Sequence, residues 1–115
     1  MALSPEQKEK VTTMMNDFVD EHRPSPEMQK GVDLAWRLED QSVLLFEIRP
    51  RFNNPQITVN IDFAKATWVQ TQKCWKVFWM RASGSWEVYE PLSSAGNLQR
   101  FLIEVEKDPF ECFKG

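Results

Sequence analysis

The chain has 115 residues and a mass of 13.5 kDa, which is enough for one domain with a hydrophobic core and too little for a second full domain. Hydrophobic residues make up 42% of it and charged residues 27%, so the composition excludes gross disorder and a collagen-like chain. With 14 Lys+Arg against 17 Asp+Glu, the formal charge of −3 excludes a globally basic nucleic-acid binder. We therefore expect a single domain over residues 1–115.

The sequence favours a cytoplasmic location. The first residues lack a basic segment followed by an apolar run of signal-peptide length, and no stretch approaches the roughly 20 apolar residues that a membrane span requires. The only cysteines, Cys74 and Cys112, cannot form a C-x-x-C redox motif, a thiolate metal cluster or a disulfide framework. We expect both thiols to be reduced and buried.

The N-terminal segment predicts an amphipathic helix. Ser4 as N-cap, Pro5 at the first helical position and Gln7 three residues after the cap form a capping-box pattern. The apolar residues that follow recur at steps of three and four and share one stripe: Val11, Met14, Met15, Phe18 and Val19. The helix should end before Pro24, because the residue before a proline is disfavoured in helical conformation.

From Val32 onward the hydrophobic period changes to two, which predicts a β-hairpin. Residues 32–38 alternate as a half-buried antiparallel strand, and a polar turn follows at 39–42. Residues 43–48 form the returning strand. Pro50 is expected to end that strand because it cannot donate a ladder hydrogen bond.

Further strands follow a loop at residues 53–55. The first alternates over residues 57–63 and either runs on or bends before Trp68, and two more are predicted at 74–81 and 86–90. Short turns between successive strands favour an antiparallel meander, since parallel pairing would need long crossovers.

A second amphipathic helix is predicted before Pro109, and its apolar residues are Leu98, Phe101, Leu102 and Val105. Phe110 and Phe113 are expected to dock on the sheet, because a frayed end would expose both rings. The predicted fold class is α+β: a four- to five-stranded antiparallel meander sheet with the N-terminal and C-terminal helices packed on it.

Four segments in order carry a resemblance: 47–52 (Glu-Ile-Arg-Pro-Arg-Phe), the aromatic strand 75–79, 86–91 (Trp-Glu-Val-Tyr-Glu-Pro) and Asp108-Pro109. Over nearly its whole length the chain resembles a small uncharacterised bacterial family, domain of unknown function 3024. The resemblance implies one compact bacterial domain. It implies no chemistry, because the family name carries no activity.

The most distinctive charged feature of the sequence is a cluster at the end of the second predicted strand. Glu47, Arg49 and Arg51 share a face if the strand continues through Pro50, with the aromatic Phe52 beside them. The guanidinium groups of the two arginines could bind a phosphate or carboxylate through bidentate hydrogen bonds. At ~7 Å in water, however, two cations repel by only ~0.6 kcal/mol, so a surface ion-pair network satisfies them equally well.

The second candidate surface is aromatic and consists of Trp68, Trp75, Trp79, Trp86 and Tyr89, interleaved with cations. Trp75 and Trp79 lie on the strand face opposite Phe78, so both faces of that strand are apolar and both need cover. Three interpretations remain open: helices covering the rings as core, a second copy covering one face as a homodimer, or a platform that stacks nucleic-acid bases or sugars. The net negative charge disfavours a platform for nucleic-acid bases, although the seven cations between residues 31 and 90 could form a local basic surface.

Catalytic signals are weak. His22 is the only histidine and sits at a predicted helix end, where capping or solvation explains it. Glu87 and Glu90 point to opposite faces of a strand and cannot act as an acid/base pair. Phosphate-binding glycine motifs are absent, so we predict no catalytic residues, no cofactor and no metal ligands.

These observations favour a non-enzymatic binding or protein-interaction module of unknown partner. Its candidate binding residues are Glu47, Arg49, Arg51, Trp75, Trp79, Trp86 and Tyr89. The alternatives are a small hydrolase or isomerase that uses Glu47 and Arg49, a nucleic-acid-binding sheet, and a purely structural subunit of a larger assembly.

Overall fold

An antiparallel sheet lies between one helix near the start of the chain and one near its end. The computed structural model describes residues 3–23, 32–51, 53–110 and 112–113, and only the backbone of Pro55. The elements in chain order are α1 (Pro5–His22), β1 (Asp33–Glu39), β2 (Ser42–Arg51), β3 (Asn54–Val69), β4 (Cys74–Met80), β5 (Trp86–Val88), β6 (Ser94–Ala95) and α2 (Leu98–Lys107). The predicted α+β class is confirmed.

The strands follow one another in space as they do in sequence, in the order β1-β2-β3-β4-β5, and every pair is antiparallel. The predicted meander is therefore confirmed. A sixth strand, β6, pairs with Trp75 and Lys76 of β4, while β5 pairs with residues 78–80. These two short strands thus lie end to end along one edge of β4. Two residues are too few for an alternation, so sequence periodicity misses β6.

Both helices begin with the caps that their sequences provide. The Ser4 hydroxyl accepts a hydrogen bond from the Gln7 backbone N–H at 3.2 Å, and the Gln7 side chain accepts one from the Ser4 N–H at 3.0 Å. In α2 the Asn97 side chain accepts from the Arg100 N–H at 3.0 Å. Helix α1 ends at His22, and Pro24 lies outside the described residues. In the described ranges, neither helix has the length and apolarity needed to cross a membrane.

Both helices pack on the same face of the sheet, which we call the covered face. A row of cross-strand neighbours, Leu38, Val43, Ala66 and Val77, runs across it. Met15 of α1 and Phe101 of α2 are fully buried in the same cluster. The opposite face, called the open face, carries the row Arg37, Leu44, Lys65, Phe78 and Val88. In the described ranges, the main core cluster therefore lies on the covered face.

Two expectations about β2 and β3 were wrong. Pro50 does not end β2, which continues to Arg51. The pairing of β1 with β2 ends at the Asp33–Ile48 pair, so Pro50 lies where β2 is an edge strand, and an edge tolerates the missing N–H. The predicted loop at 53–55 is also too long, because β3 already begins at Asn54 and runs on without interruption to Val69.

A bulge in β3 moves the alternation by one residue. Leu45 pairs with Ala64 and Phe46 pairs with Asp62, so Phe63 is an extra residue. Phe63 and Ala64 are both buried in the core. On the N-terminal side of the bulge the odd-numbered residues of β3 face the helix side, whereas on its C-terminal side the even-numbered residues do.

The end of the chain partly follows the prediction. Phe113 is buried with its ring centroid 4.6 Å from that of Tyr89, and its backbone N–H donates to the Asp108 side chain at 3.1 Å. Phe110, by contrast, is 62% exposed, so its predicted docking was wrong. Cys74 and Cys112 are free thiols, but both are half-buried rather than buried.

The Tyr89 side chain makes the polar contact that links the sheet to α2, and it generates a stability prediction. Tyr89 is fully buried, and its hydroxyl donates to Glu104 at 2.8 Å. Tyr89→Phe should lower the free energy of unfolding by about 1–2 kcal/mol at neutral pH, since the Glu104 carboxylate loses a partner that water only partly replaces. Urea unfolding measures this loss, and an unchanged midpoint would contradict it.

Tyr89 also predicts a dependence of stability on pH. Burial, helped by the hydrogen bond to Glu104, raises the pKa of the Tyr89 phenol above its usual value. The folded state then keeps this proton at a pH where the unfolded chain loses it, so wild-type stability should fall as pH rises above about 10. Tyr89→Phe removes this contribution, and its unfolding free energy should fall less steeply. If the free energy of unfolding falls equally steeply with pH in both proteins, the predicted contribution of Tyr89 is contradicted.

Candidate functional site

The predicted site residues lie in three separate places. Trp75 and Tyr89 are buried on the covered face, and Trp79 packs half-buried against the same core. Trp86 belongs to the open face, where it pairs with Met80. Glu47, Arg49 and Arg51 lie at the far end of β2. The aromatic candidates therefore do not form one surface, and Trp75 and Tyr89 serve as packing.

Beyond the neighbouring strands, β2 and β3 continue as a two-stranded ribbon. Pairing of β1 with β2 extends to Ile48, and pairing of β4 with β3 extends to Ala64. We call the described residues of 49–61 the arm: 49–59 form its two-stranded part, and Asn60 and Ile61 form its base, opposite β2 residues that still pair with β1. Within it Arg49 pairs with Val59 and Pro50 pairs with Thr58. The arm is thus held by β2–β3 pairing, which is weak in isolation because a two-stranded hairpin is only marginally stable in water.

One face of the arm combines apolar and cationic side chains, and we call it the arm face. The pairing register places Arg49, Val59 and Ile61 on it. The register shifts between Pro50 and Arg51, so Arg51 and Ile57 are assigned to this face from the alternation of their own strands. Ile57 is 46% exposed and Ile61 is 43% exposed. Ile61 lies opposite Glu47, which lines a cavity together with residues of both helices. The arm face therefore looks toward the same side of the sheet as the helices.

The charges at the base of the arm are partly neutralised. Arg49 donates to Glu47 from Nη2 at 3.0 Å, an ion pair of two solvent-accessible groups that stabilises by at most about 1 kcal/mol. Arg51 is exposed, and in the described ranges it contacts no carboxylate. The strand does continue through Pro50, as this grouping requires, while Phe52 lies outside the described residues. Arg51 is therefore the more available cation.

A cavity of about 170 Å³ lies beside Glu47, between the sheet and the ends of both helices. His22 forms part of its wall. The His22 ring stacks on Phe18 at 4.1 Å, its Nδ1 lies 2.8 Å from the Phe18 carbonyl oxygen, and its Nε2 lies 3.6 Å from Glu106. The Glu106 contact links the last turn of α1 to α2, whereas both contacts with Phe18 lie within α1.

The open face is shielded by two long cationic side chains, the first of which is Arg37. It donates to both carboxylate oxygens of Asp62, at 2.7 and 2.9 Å, and also pairs with Glu39. Its guanidinium carbon lies 5.3 Å from the centre of the Phe46 ring. Phe46 is only 9% exposed and Leu44 only 4%, although no helix covers them in the described chain.

Lys65 is the second cationic side chain that shields the open face. Its Nζ lies 4.7 Å from the ring centre of Phe78 and 4.7 Å from that of Trp86. Burial lowers the pKa of the Lys65 ammonium, and Glu39 and Asp62 oppose that shift. Arg37 and Lys65 were not identified from the sequence as residues that cover the open face. Their signal was present, because strand alternation and pairing place them in one row with Leu44 and Phe78.

The comparisons with known proteins give one result. A family model described as "Domain of unknown function (DUF3024)" matches residues 3–115. No curated protein and no solved structure matches the chain. In the described ranges, no group of three or more His, Cys, Asp or Glu side chains could hold a metal ion.

The arrangement around Lys65 predicts that its stem matters more than its charge. Lys65→Ala exposes Phe78 and Trp86 and should lower the free energy of unfolding by about 1–2 kcal/mol. Lys65→Met keeps most of the stem and should cost less than about 1 kcal/mol. Lys76→Ala is the matched control, because Lys76 of β4 also lies on the open face but is exposed. This substitution should change stability by less than about 0.5 kcal/mol. Urea unfolding compares the three, and a Lys65→Ala loss no larger than that of Lys76→Ala would refute the shielding role.

Proposed function

The chain belongs to the DUF3024 family, whose description names no activity, and we propose that it is a non-enzymatic protein-interaction module that contacts its partner through the arm. The observation that carries this proposal is the exposure of two isoleucines on the arm face, Ile57 on the two-stranded part of the arm and Ile61 at its base. Apolar side chains grouped on one exposed face are typical of an interaction surface, whereas singly scattered ones are not.

The charges of the arm face support a protein partner over a nucleic acid. Arg49 and Arg51 flank an apolar stripe, and Glu47 already neutralises part of the positive charge. Non-specific affinity for a phosphate backbone grows with the number of neutralised phosphates, and two arginines provide few such contacts. The ring pair that could stack bases, Phe78 and Trp86, lies under Lys65 on the open face rather than on the arm. An apolar stripe with a cationic border suits a protein surface with an acidic border.

The alternative of a hydrolase or isomerase using Glu47 and Arg49 has less support. The cavity at Glu47 has about 170 Å³, whereas ligand pockets typically hold roughly 300–1,000 Å³. Its lining includes Glu47 and His22. His22 contacts Phe18 and Glu106, and Glu47 contacts Arg49. These side chains are therefore engaged in structural contacts.

The proposal predicts the outcome of affinity capture from native extract. The double variant Ile57→Ser/Ile61→Ser should lose the proteins that the wild-type chain captures, because both side chains are exposed and their removal deletes contact area rather than core packing. Phe110→Ser is the matched control: Phe110 is also exposed and is not an arm residue, so capture should be unchanged. Quantitative mass spectrometry compares the captured sets. Equal capture by the double variant, or no capture by wild type above the tag alone, would rule out the arm as the binding element.

A further inference from the structure

A groove of about 300 Å³ runs between α1 and α2, and all its lining residues belong to the two helices. Phe18 and Leu102 form part of its apolar wall. Three carboxylates border it: Asp17, Glu21 and Glu106. We call it the helix groove. It has an apolar floor with an acidic rim, on the outer side of the helix layer.

The helix groove also contains an exposed apolar side chain. Among the described residues four large hydrophobic side chains are exposed: Ile57, Ile61, Ile103 and Phe110. Ile103, which is 40% exposed, lines the helix groove, while Ile57 and Ile61 lie on the arm face. Three of the four therefore belong to two surfaces of this one chain, and a contact between those surfaces would bury all three.

We propose that the arm of one chain docks in the helix groove of a second copy of the same chain. This inference rests on the proposed role of the arm and names its partner. Ile57 and Ile61 enter the groove against Leu102 and Ile103, and the arginines of the arm face meet the carboxylates on the rim.

Charge complementarity selects a second copy as the occupant. The arm face carries Arg49 and Arg51, and the groove rim carries Asp17, Glu21 and Glu106. Opposite charges at the border of an apolar contact speed encounter and set its register. The chain thus carries both halves of one complementary pair of surfaces.

The placement of the two surfaces allows both contacts to form at once. The arm face and the helices lie on the same side of the sheet, as the cavity shared by Glu47 and His22 shows. Two copies related by a twofold axis can face each other with their helix layers side by side, so that each arm reaches the groove of the other copy. Such an interface is closed, which limits assembly to a dimer.

The test uses charge reversal on the full chain, followed by sedimentation equilibrium over a concentration series. Wild type should reach twice its mass of 13.5 kDa. Arg49→Glu/Arg51→Glu and Asp17→Lys/Glu21→Lys should each weaken the dimer by roughly a hundred-fold, because each creates like charges across both contacts. All four positions are exposed, and circular dichroism confirms that each variant folds.

An equimolar mixture of the two variants provides the decisive measurement. In a mixed dimer the reversed arm meets the reversed groove, and the unchanged arm meets the unchanged groove, so the mixture should dimerise about as well as wild type. The control Lys76→Glu/Arg81→Glu reverses two exposed cations outside both surfaces and should leave the dimer unchanged. Loss in the single variants without recovery in the mixture would overturn the proposed pairing.

The remaining outcomes separate this inference from the proposed function. A wild type that is monomeric at every concentration, or variants that dimerise like wild type, would overturn self-docking. If Ile57→Ser/Ile61→Ser still loses its captured proteins in that case, the arm remains an interaction element with a different partner. If capture is unchanged as well, both proposals fail.

Discussion

Both helices pack on the same face of the sheet, and the opposite face is shielded by side chains of its own strands. This one-sided packing determines where the molecule has a core and where it does not. The 18 residues of α1 and the 10 residues of α2 cover the rows that contain Val43, Ala66 and Val77. On the other face Arg37 and Lys65 lie over aromatic rings, so their hydrocarbon stems exclude water from Leu44 and Phe46.

The bulge at Phe63 marks the transition between the covered sheet and the arm. On its C-terminal side, β3 contributes Ala64 and Ala66 to the core. On its N-terminal side the alternation is reversed, and Ile61 lies on the helix side but is 43% exposed. The same strand thus supplies packing over one half and an exposed apolar stripe over the other. Among the described residues, none of the arm belongs to the core cluster, so its apolar side chains are available for an interface.

Much of the fold could be predicted from the sequence because its signals are local. The Ser4 and Gln7 caps, the apolar stripe of α1 and the two-residue alternation after Val32 each depend on near neighbours. Pro50 was misjudged because its cost depends on whether a third strand lies beside it, which is a tertiary fact. The length of β3 and its bulge also depend on pairing with β2 rather than on β3 alone.

The candidate site was predicted less completely. The sequence identified Glu47, Arg49 and Arg51 as one group, and the structure places all three at the end of β2. The sequence could not distinguish the buried aromatic residues from the half-buried ones, because burial of Trp75 and Tyr89 depends on where the helices pack. Arg37 and Lys65 were missed as cover because their role arises from cross-strand neighbours far apart in sequence. The helix groove brings together residues from both ends of the chain, which periodicity does not reveal.

Hydrogen–deuterium exchange of the wild-type chain at two concentrations tests the role of the arm most directly. In dilute solution we expect amides of the arm to exchange faster than those of β4, which has paired strands on both sides. In concentrated solution amides of the arm and of the α1–α2 groove should slow together, while those of β1 stay unchanged. An arm that is as protected as β4 in dilute solution, or one whose exchange does not respond to concentration, would contradict the assignment of the arm as the surface that binds a second copy.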